Sequence, residues 1–315
     1  MVNLILNENM KLYRRWRTWI MVAVMIAAVL IGSIVEWYYD NKDAQNGIAW
    51  QEQLKQEKQH NEKMVSDPEM DEESRQWFQE QITLANYRLE HNIRPESGTM
   101  WDGINGSAEL VILITLFTVI VAGDSLAGEF TTGTIKLLLI RPASRLKILV
   151  SKYISMLMFG LLLLIILFIV SVLVNGLIYR FADMDLPLVT VDSAGEIVQR
   201  NMVANLWQTY LLNGVATIIF VTMAFMISSA FRSSAMAIGF SIFALFAGSI
   251  IVELFQAYKW SKYVLFANID LSQYLAGRPY QEGMTLSFSI TVLVVYFIVF
   301  NLVSWLVFTR RDVAS

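Results

Sequence analysis

Between Lys152 and Arg180 the chain carries no charged residue, and most of that interval reads LMFGLLLLIILFIVSVLVNGLIY. No other feature narrows the possible folds as much. A helix that crosses a bilayer needs about 20 mostly apolar residues. Within hydrocarbon, only helices and closed barrels satisfy their own backbone polar groups. The run is continuous, not an alternating ten-residue pattern, which selects a helix over a barrel strand. Similar stretches run from about Thr18 to Trp37, Ala108 to Gly123, Trp207 to Phe231, Ser234 to Ala257 and Leu286 to Phe308. With Tyr153 to Tyr179 they make six predicted spans. The composition agrees: 16% of residues are charged, against about 25% in soluble domains, and the deficit lies in these stretches. The expected fold class is therefore an all-α integral membrane protein.

Charge gives these spans a direction. Cytoplasmic flanks collect Lys and Arg. The first seventeen residues carry Lys11, Arg14, Arg15 and Arg17, and the segment after the second span carries Lys136, Arg141, Arg145, Lys147 and Lys152. Arg232 follows the fourth span, and Arg310 and Arg311 follow the sixth. With six spans all these groups share one side, whose few acids are Glu8, Asp124, Glu129 and Asp312. The other side is acid-rich, above all in residues 39–107. Both termini are expected in the cytoplasm. The first apolar run is too long for a signal-peptide core of about 7–15 residues and no A-x-A site follows it, so it reads as an uncleaved anchor.

The remaining segments divide the chain. Residues 1–17 place Leu6, Met10 and Tyr13 on one helical face and Asn7, Lys11, Arg14 and Arg15 towards the other. That pattern predicts an amphipathic helix lying in the inner interface of the bilayer, anchored by Trp16 and Trp19. The first span is placed at 18–38. Residues 39–107 are expected to form an extracellular helical hairpin. Its second helix is predicted to start at Asp67-Pro68 as cap and first position and to bury a stripe of Phe78, Ile82, Ala85 and Leu89. Residues 108–315 hold the other spans, with a cytoplasmic segment at 124–152. Residues 180–206 read as an outer loop, and the aromatic-rich 258–285 as a segment at, or dipping into, the outer interface. In the fifth span, Ala235 with Gly239 and Ala244 with Gly248 are spaced to let helix backbones approach.

Several chemistries are missing. There is no cysteine, hence no disulfide or thiolate chemistry. The two histidines, His60 and His91, read as solvated surface residues, and no metal site is expected. No phosphate-binding loop, zinc-protease helix or nucleophile elbow occurs. The acids in the spans, Glu36, Glu109 and Glu253, fall near predicted outer ends and not at mid-membrane, which weakens an ion-coupled carrier. The chain is expected to be no enzyme, to bind no cofactor itself and to have no nucleic-acid partner.

Residues 129–152 follow the order E-F-x-x-G-T-x-K-x-L-L-x-x-P-x-S-R-x-x-x-x-x-S-K, and Asn7-Glu8 to Lys11-Leu12 give N-E-x-x-K-L. These patterns, with six spans and cytoplasmic termini, resemble the ABC-2 type permease subunits of bacterial ATP-binding-cassette exporters. The resemblance implies a protein of the bacterial cell membrane that moves a substrate outward. ATP and Mg would be bound by separate cytoplasmic ABC ATPase subunits, with a second permease copy or a sister permease completing the path. It assigns Glu129, Phe130, Gly133, Thr134, Ile135 and Leu138 to a coupling helix that enters the ATPase, and Arg141, Pro142 and Arg145 to the turn that follows. Glu129 would meet a basic group on that partner, and Phe130, Ile135 and Leu138 would supply contact area. The competing expectation is a membrane sensor or scaffold whose extracellular helical domain binds a ligand or partner.

Overall fold

The computed structural model describes all residues except 46–48, 136–143, 192–194, 276–278, 282 and 311–315, and leaves aside the side chains of 42–45, 73 and 249. The helices are α1 (Val2–Tyr13), α2 (Trp16–Gln45), α3 (Trp50–Val65), α4 (Glu72–His91), α5 (Met100–Ala108), α6 (Val111–Thr131), α7 (Arg145–Ile178), α8 (Met202–Ala230), α9 (Ser234–Phe255), α10 (Leu265–Ile269) and α11 (Leu286–Arg310). The strands β1 (Leu188–Val191) and β2 (Ile197–Arg200) pair antiparallel, Leu188 opposite Arg200 and Val191 opposite Ile197. This hairpin lies where a plain loop was expected. Its four-residue strands are too short to be told from loop by alternation alone.

Among the described residues, five helical stretches are long and apolar enough to cross a membrane: Trp16–Asn41, Met100–Thr131, Arg145–Ile178, Met202–Ala230 and Leu286–Arg310. Helix α9 carries a shorter apolar stretch, Ser234–Gly248. Along α7, Leu161, Ile165, Ile169, Leu173 and Leu177 are exposed, and along α11 so are Ile290, Val294, Ile298 and Leu302. Apolar faces of that extent are lipid-facing or interaction surfaces, not surfaces left to water.

The chain forms two compact units. The first comprises Met1–Ala27, Glu109–Leu167 and Tyr210–Ser315. Helices α6 and α9 pack together in it because Gly123 leaves room: a β-carbon there would come within 3.2 Å of the Ile238 Cα. Gly248 does the same for Phe266, whose ring occupies the space a side chain would take. Gly239 touches nothing within 4 Å of its would-be β-carbon, so of the predicted close-approach pairs only the Gly248 position is used in this way. Several buried hydroxyls bond among themselves and to the preceding turn. Thr115 meets Thr217 at 2.8 Å and also donates to the Val111 carbonyl, and Tyr153 meets Thr222 at 2.7 Å. This is how a polar side chain is tolerated in apolar surroundings. Among the described residues of 258–285, Ser261–Tyr263, α10 and Ser272–Tyr274 form short helical turns. Asn268, fully buried, donates to the carbonyls of Lys262 and Val264 and accepts from Ser289 of α11 at 2.7 Å.

The second unit comprises Ala28–Ala108 and Phe168–Thr209. Helices α3 and α4 pair in it, with Leu54 and Ala85 buried and Phe78, Ile82 and Leu89 half-buried. Helix α4 begins later than expected. Asp71 caps it by accepting from the Ser74 N–H at 2.8 Å, whereas Asp67 closes a separate turn onto the Glu69 N–H. Met100, Trp101, Ile104, Leu188, Met202 and Leu206 form this unit's core.

Candidate functional site at the charged helix ends

Helix α1 ends at Tyr13, and its last carbonyls need partners. The first turns of α2 supply them: the Thr18 hydroxyl donates to the Leu12 carbonyl at 2.7 Å and the Trp19 indole to the Tyr13 carbonyl at 2.9 Å. Leu6 and Met10 remain exposed, while Asn9 and Leu12 are buried. Glu8 thereby points into the first unit, where Lys152 on α7 donates to it at 2.9 Å. Lys152 also donates to Glu129, in the last turn of α6, at 3.1 Å. Only 4% of the Lys152 side chain is exposed. A charge that deep must be paired, and here it is paired twice. Lys11 adds a second cation to Glu8 at 2.8 Å. Burial alone would raise the Glu8 pKa, but Lys152 and Lys11 outweigh it and hold the carboxyl below its ordinary value.

Asp124, one turn and a half before Glu129, collects three donors. Arg17 reaches it at 2.5 Å, Arg15 at 3.2 Å and the Ser234 hydroxyl at 2.5 Å. Charge-assisted bonds of this kind are the stronger ones. They tie the α1–α2 junction and the start of α9 to α6. The Thr131 hydroxyl joins the α8–α9 turn by donating to the Arg232 carbonyl at 3.2 Å and accepting from the Ser234 N–H at 3.1 Å. Arg145 donates to the Thr309 carbonyl at 3.1 Å, which ties the start of α7 to the end of α11. Under these bonds lies a core of Leu126, Ile135, Ile148, Leu149, Phe225 and Phe308.

The expected coupling residues take different places in this structure. Glu129 is not held out for a partner: its carboxylate is spent on Lys152 and on the Thr134 hydroxyl. Ile135 is 4% exposed and belongs to the core, and Phe130 is half-buried against it. Gly133 ends α6 in the left-handed region, at φ +71, where a β-carbon is disfavoured. Thr134 also meets Thr132 at 2.9 Å. Leu138, Arg141 and Pro142 lie outside the described residues. Among the described residues, Thr132, Gly133, Ser144, Leu146 and Lys147 are exposed at this end.

The pairing of Lys152 with Glu8, and of Asp124 with Arg15 and Arg17, does not follow from the sequence patterns in which these residues stand. One signal pointed to Asp124: it follows a run, Leu110 to Gly123, with no charge, and an acid at the end of such a run needs a partner. Nothing local reveals that Lys152 reaches back to Glu8. Among the described residues no cluster of His, Cys, Asp or Glu is suited to a metal ion. Each of the three acids Glu8, Asp124 and Glu129 is paired with at least one of Lys11, Arg15, Arg17 and Lys152, and these pairs hold helices together.

Five long apolar helices, with apolar faces exposed along α7 and α11, define a multi-pass membrane protein. Residues 76–314 match the family described as Protein of unknown function (DUF2705), and the chain belongs to that family. It is 40% identical over 319 residues, all of both chains, to the uncharacterized protein YhcI of Bacillus subtilis (strain 168). It is also 33% identical over 208 residues to the uncharacterized membrane protein YdbK of the same organism, a match spanning 65% of this chain and 79% of that one. These findings overturn the assignment to the ABC-2 type permeases, a family to which nothing here matched. The pattern that carried it has a local cause: Glu129 and Lys152 pair, Gly133 makes a turn that favours glycine, and Thr134 bonds to Glu129.

Proposed function

We propose that this chain is a membrane-embedded transport subunit, driven by a separate cytoplasmic ATPase, that moves its substrate outward across the bacterial plasma membrane. The observation that carries the reading is the braced end of the first unit. A subunit driven from outside the bilayer must pass force from a surface contact into its helices. Here the exposed patch at Thr132, Leu146 and Lys147 belongs to helices fixed to α1, α9 and α11 by Lys152, Asp124 and Arg145. The chain has no phosphate-binding loop of its own, so the energy comes from another protein. In this reading there are six spans with α9 as the fifth, both termini are cytoplasmic, and α1 lies in the inner interface with Leu6 and Met10 towards lipid. The segment 258–285 turns back at the outer interface, and a second membrane subunit completes the path.

Affinity purification of the tagged chain from its own cells in mild detergent, with identification of retained proteins, tests this. An ATPase is expected, and Lys147→Glu and Leu146→Asp are expected to lower its retention at equal membrane abundance. A purified chain that carries no ATPase, or retains a histidine kinase instead, overturns the reading in favour of a sensor.

A further inference from the structure

The second unit holds a cavity of about 550 Å³. Its walls include Trp37 and Asp40 from α2, Trp50 and Glu57 from α3, Arg94, and Tyr179 beyond the end of α7. We propose that this cavity binds a small organic cation, an alkyl- or arylammonium, held between the aromatic faces and the Asp40 and Glu57 carboxylates.

The charge balance selects the sign. Arg94 is the cation in the wall; Asp183 at 3.0 Å and the Gly98 carbonyl at 3.1 Å engage its two terminal nitrogens, and its buried Nε bonds to none of the described residues. Asp40 accepts from the Tyr179 hydroxyl at 2.5 Å, a bond that orients the carboxylate and brings no positive charge. Glu36 and Asp102 lie near enough to Asp40 to add repulsion. Arg88 acts on Glu57 from nearby, but it faces Glu96 at 3.7 Å. A cation relieves the repulsion among Asp40, Glu36 and Asp102, whereas an anion adds to it. The aromatic walls select the kind of cation. A hard metal ion requires several oxygen ligands, and among the described residues no suitable group exists. Tryptophan and tyrosine faces instead attract a soft, weakly hydrated ammonium.

The test is direct binding to the purified full-length chain, independent of any ATPase and so of the transport reading. Choline and its uncharged carbon isostere dimethylbutanol are titrated by calorimetry. Choline should bind at least about tenfold more tightly than the isostere, and Asp40→Asn and Trp50→Leu should each weaken it about tenfold. Trp50→Phe, which keeps an aromatic face, should retain most of the affinity, as should Trp77→Leu, outside the cavity wall. Should Asp40→Asn fail to elute as a folded protein, the two Trp50 variants decide. Nanodiscs of phosphatidylglycerol, with and without phosphatidylethanolamine, separate a free amine from a lipid headgroup: competition by the second lipid assigns the site to the headgroup ammonium. Equal binding of choline and isostere, no saturable choline binding, or full affinity in Trp50→Leu overturns the proposal.

Discussion

A lysine as deep as Lys152 stays charged only when carboxylates replace the water it has lost. Removing the cation alone would leave Glu129 with only the Thr134 hydroxyl and Glu8 with only Lys11, and their side chains are 16% and 12% exposed. Lys152→Met should therefore cost about 3–5 kcal/mol, read as a lower unfolding temperature in detergent. Lys152→Met combined with Glu8→Gln and Glu129→Gln removes the stranded charges and should recover much of that loss. If the triple variant is no more stable than the single one, the bracing role of the ionic pair is wrong. The Glu8 pair also has a pH signature. Its folded pKa lies below the ordinary 4.5, so the pair's contribution is present above that value. It is lost as pH falls through the lower folded value, because the folded state then takes up the proton. Glu8→Gln should flatten this acid limb and leave the behaviour at neutral pH and above with the same slope.

At the level of elements, glycines that look alike in sequence do different things. Gly123→Ala pushes a β-carbon to within 3.2 Å of the Ile238 backbone, which cannot move aside as a flexible side-chain tip does. It should destabilise the chain by about 1–3 kcal/mol. Gly239→Ala has open space and should be neutral or stabilise α9 by up to about 1 kcal/mol through helix propensity. Thermal unfolding of the two variants side by side gives the order; equal effects would remove the α6–α9 contact from the account. The cap of α4 offers a second comparison. Asp71→Ala should cost about 1 kcal/mol and speed amide exchange in the first turn of α4. Asp67→Ala, acting on a separate turn, should leave that exchange unchanged. The expectation of a helix start at Asp67-Pro68 rested on residue type, and the two aspartates are four positions apart with acids after each. Only the hydrogen bond to the Ser74 N–H decides between them.

For the whole molecule, the predicted topology puts residue 59 outside and residue 144 inside. The natural chain has no cysteine, so single cysteines at Gln59 and Ser144 can be read without background. An impermeant thiol reagent on intact cells should label the first and spare the second until the membrane is opened. Labelling at 144 in intact cells would invert the topology and remove the cytoplasmic contact on which the transport reading depends.

The membrane class and the approximate helix positions were legible in the sequence because they depend on local quantities. A run without charge, or a cluster of Lys and Arg, acts on the bilayer through its own residues whatever the rest of the chain does. The helical character of Trp50–Val65 and Glu72–His91 was readable for the same reason, from periodicity and turn residues. What the tertiary structure decided is non-local. Lys152 meets Glu8 and Asp124 meets Arg15 and Arg17, pairs separated by more than a hundred positions. The same fold turns Ile135 and Phe130 inward and spends Glu129 on a lysine, although all three had been expected to face a partner. A sequence pattern records which residue types are present. Whether a charge is offered outward or consumed within depends on which helix end comes to lie beside it, and that is a property of packing.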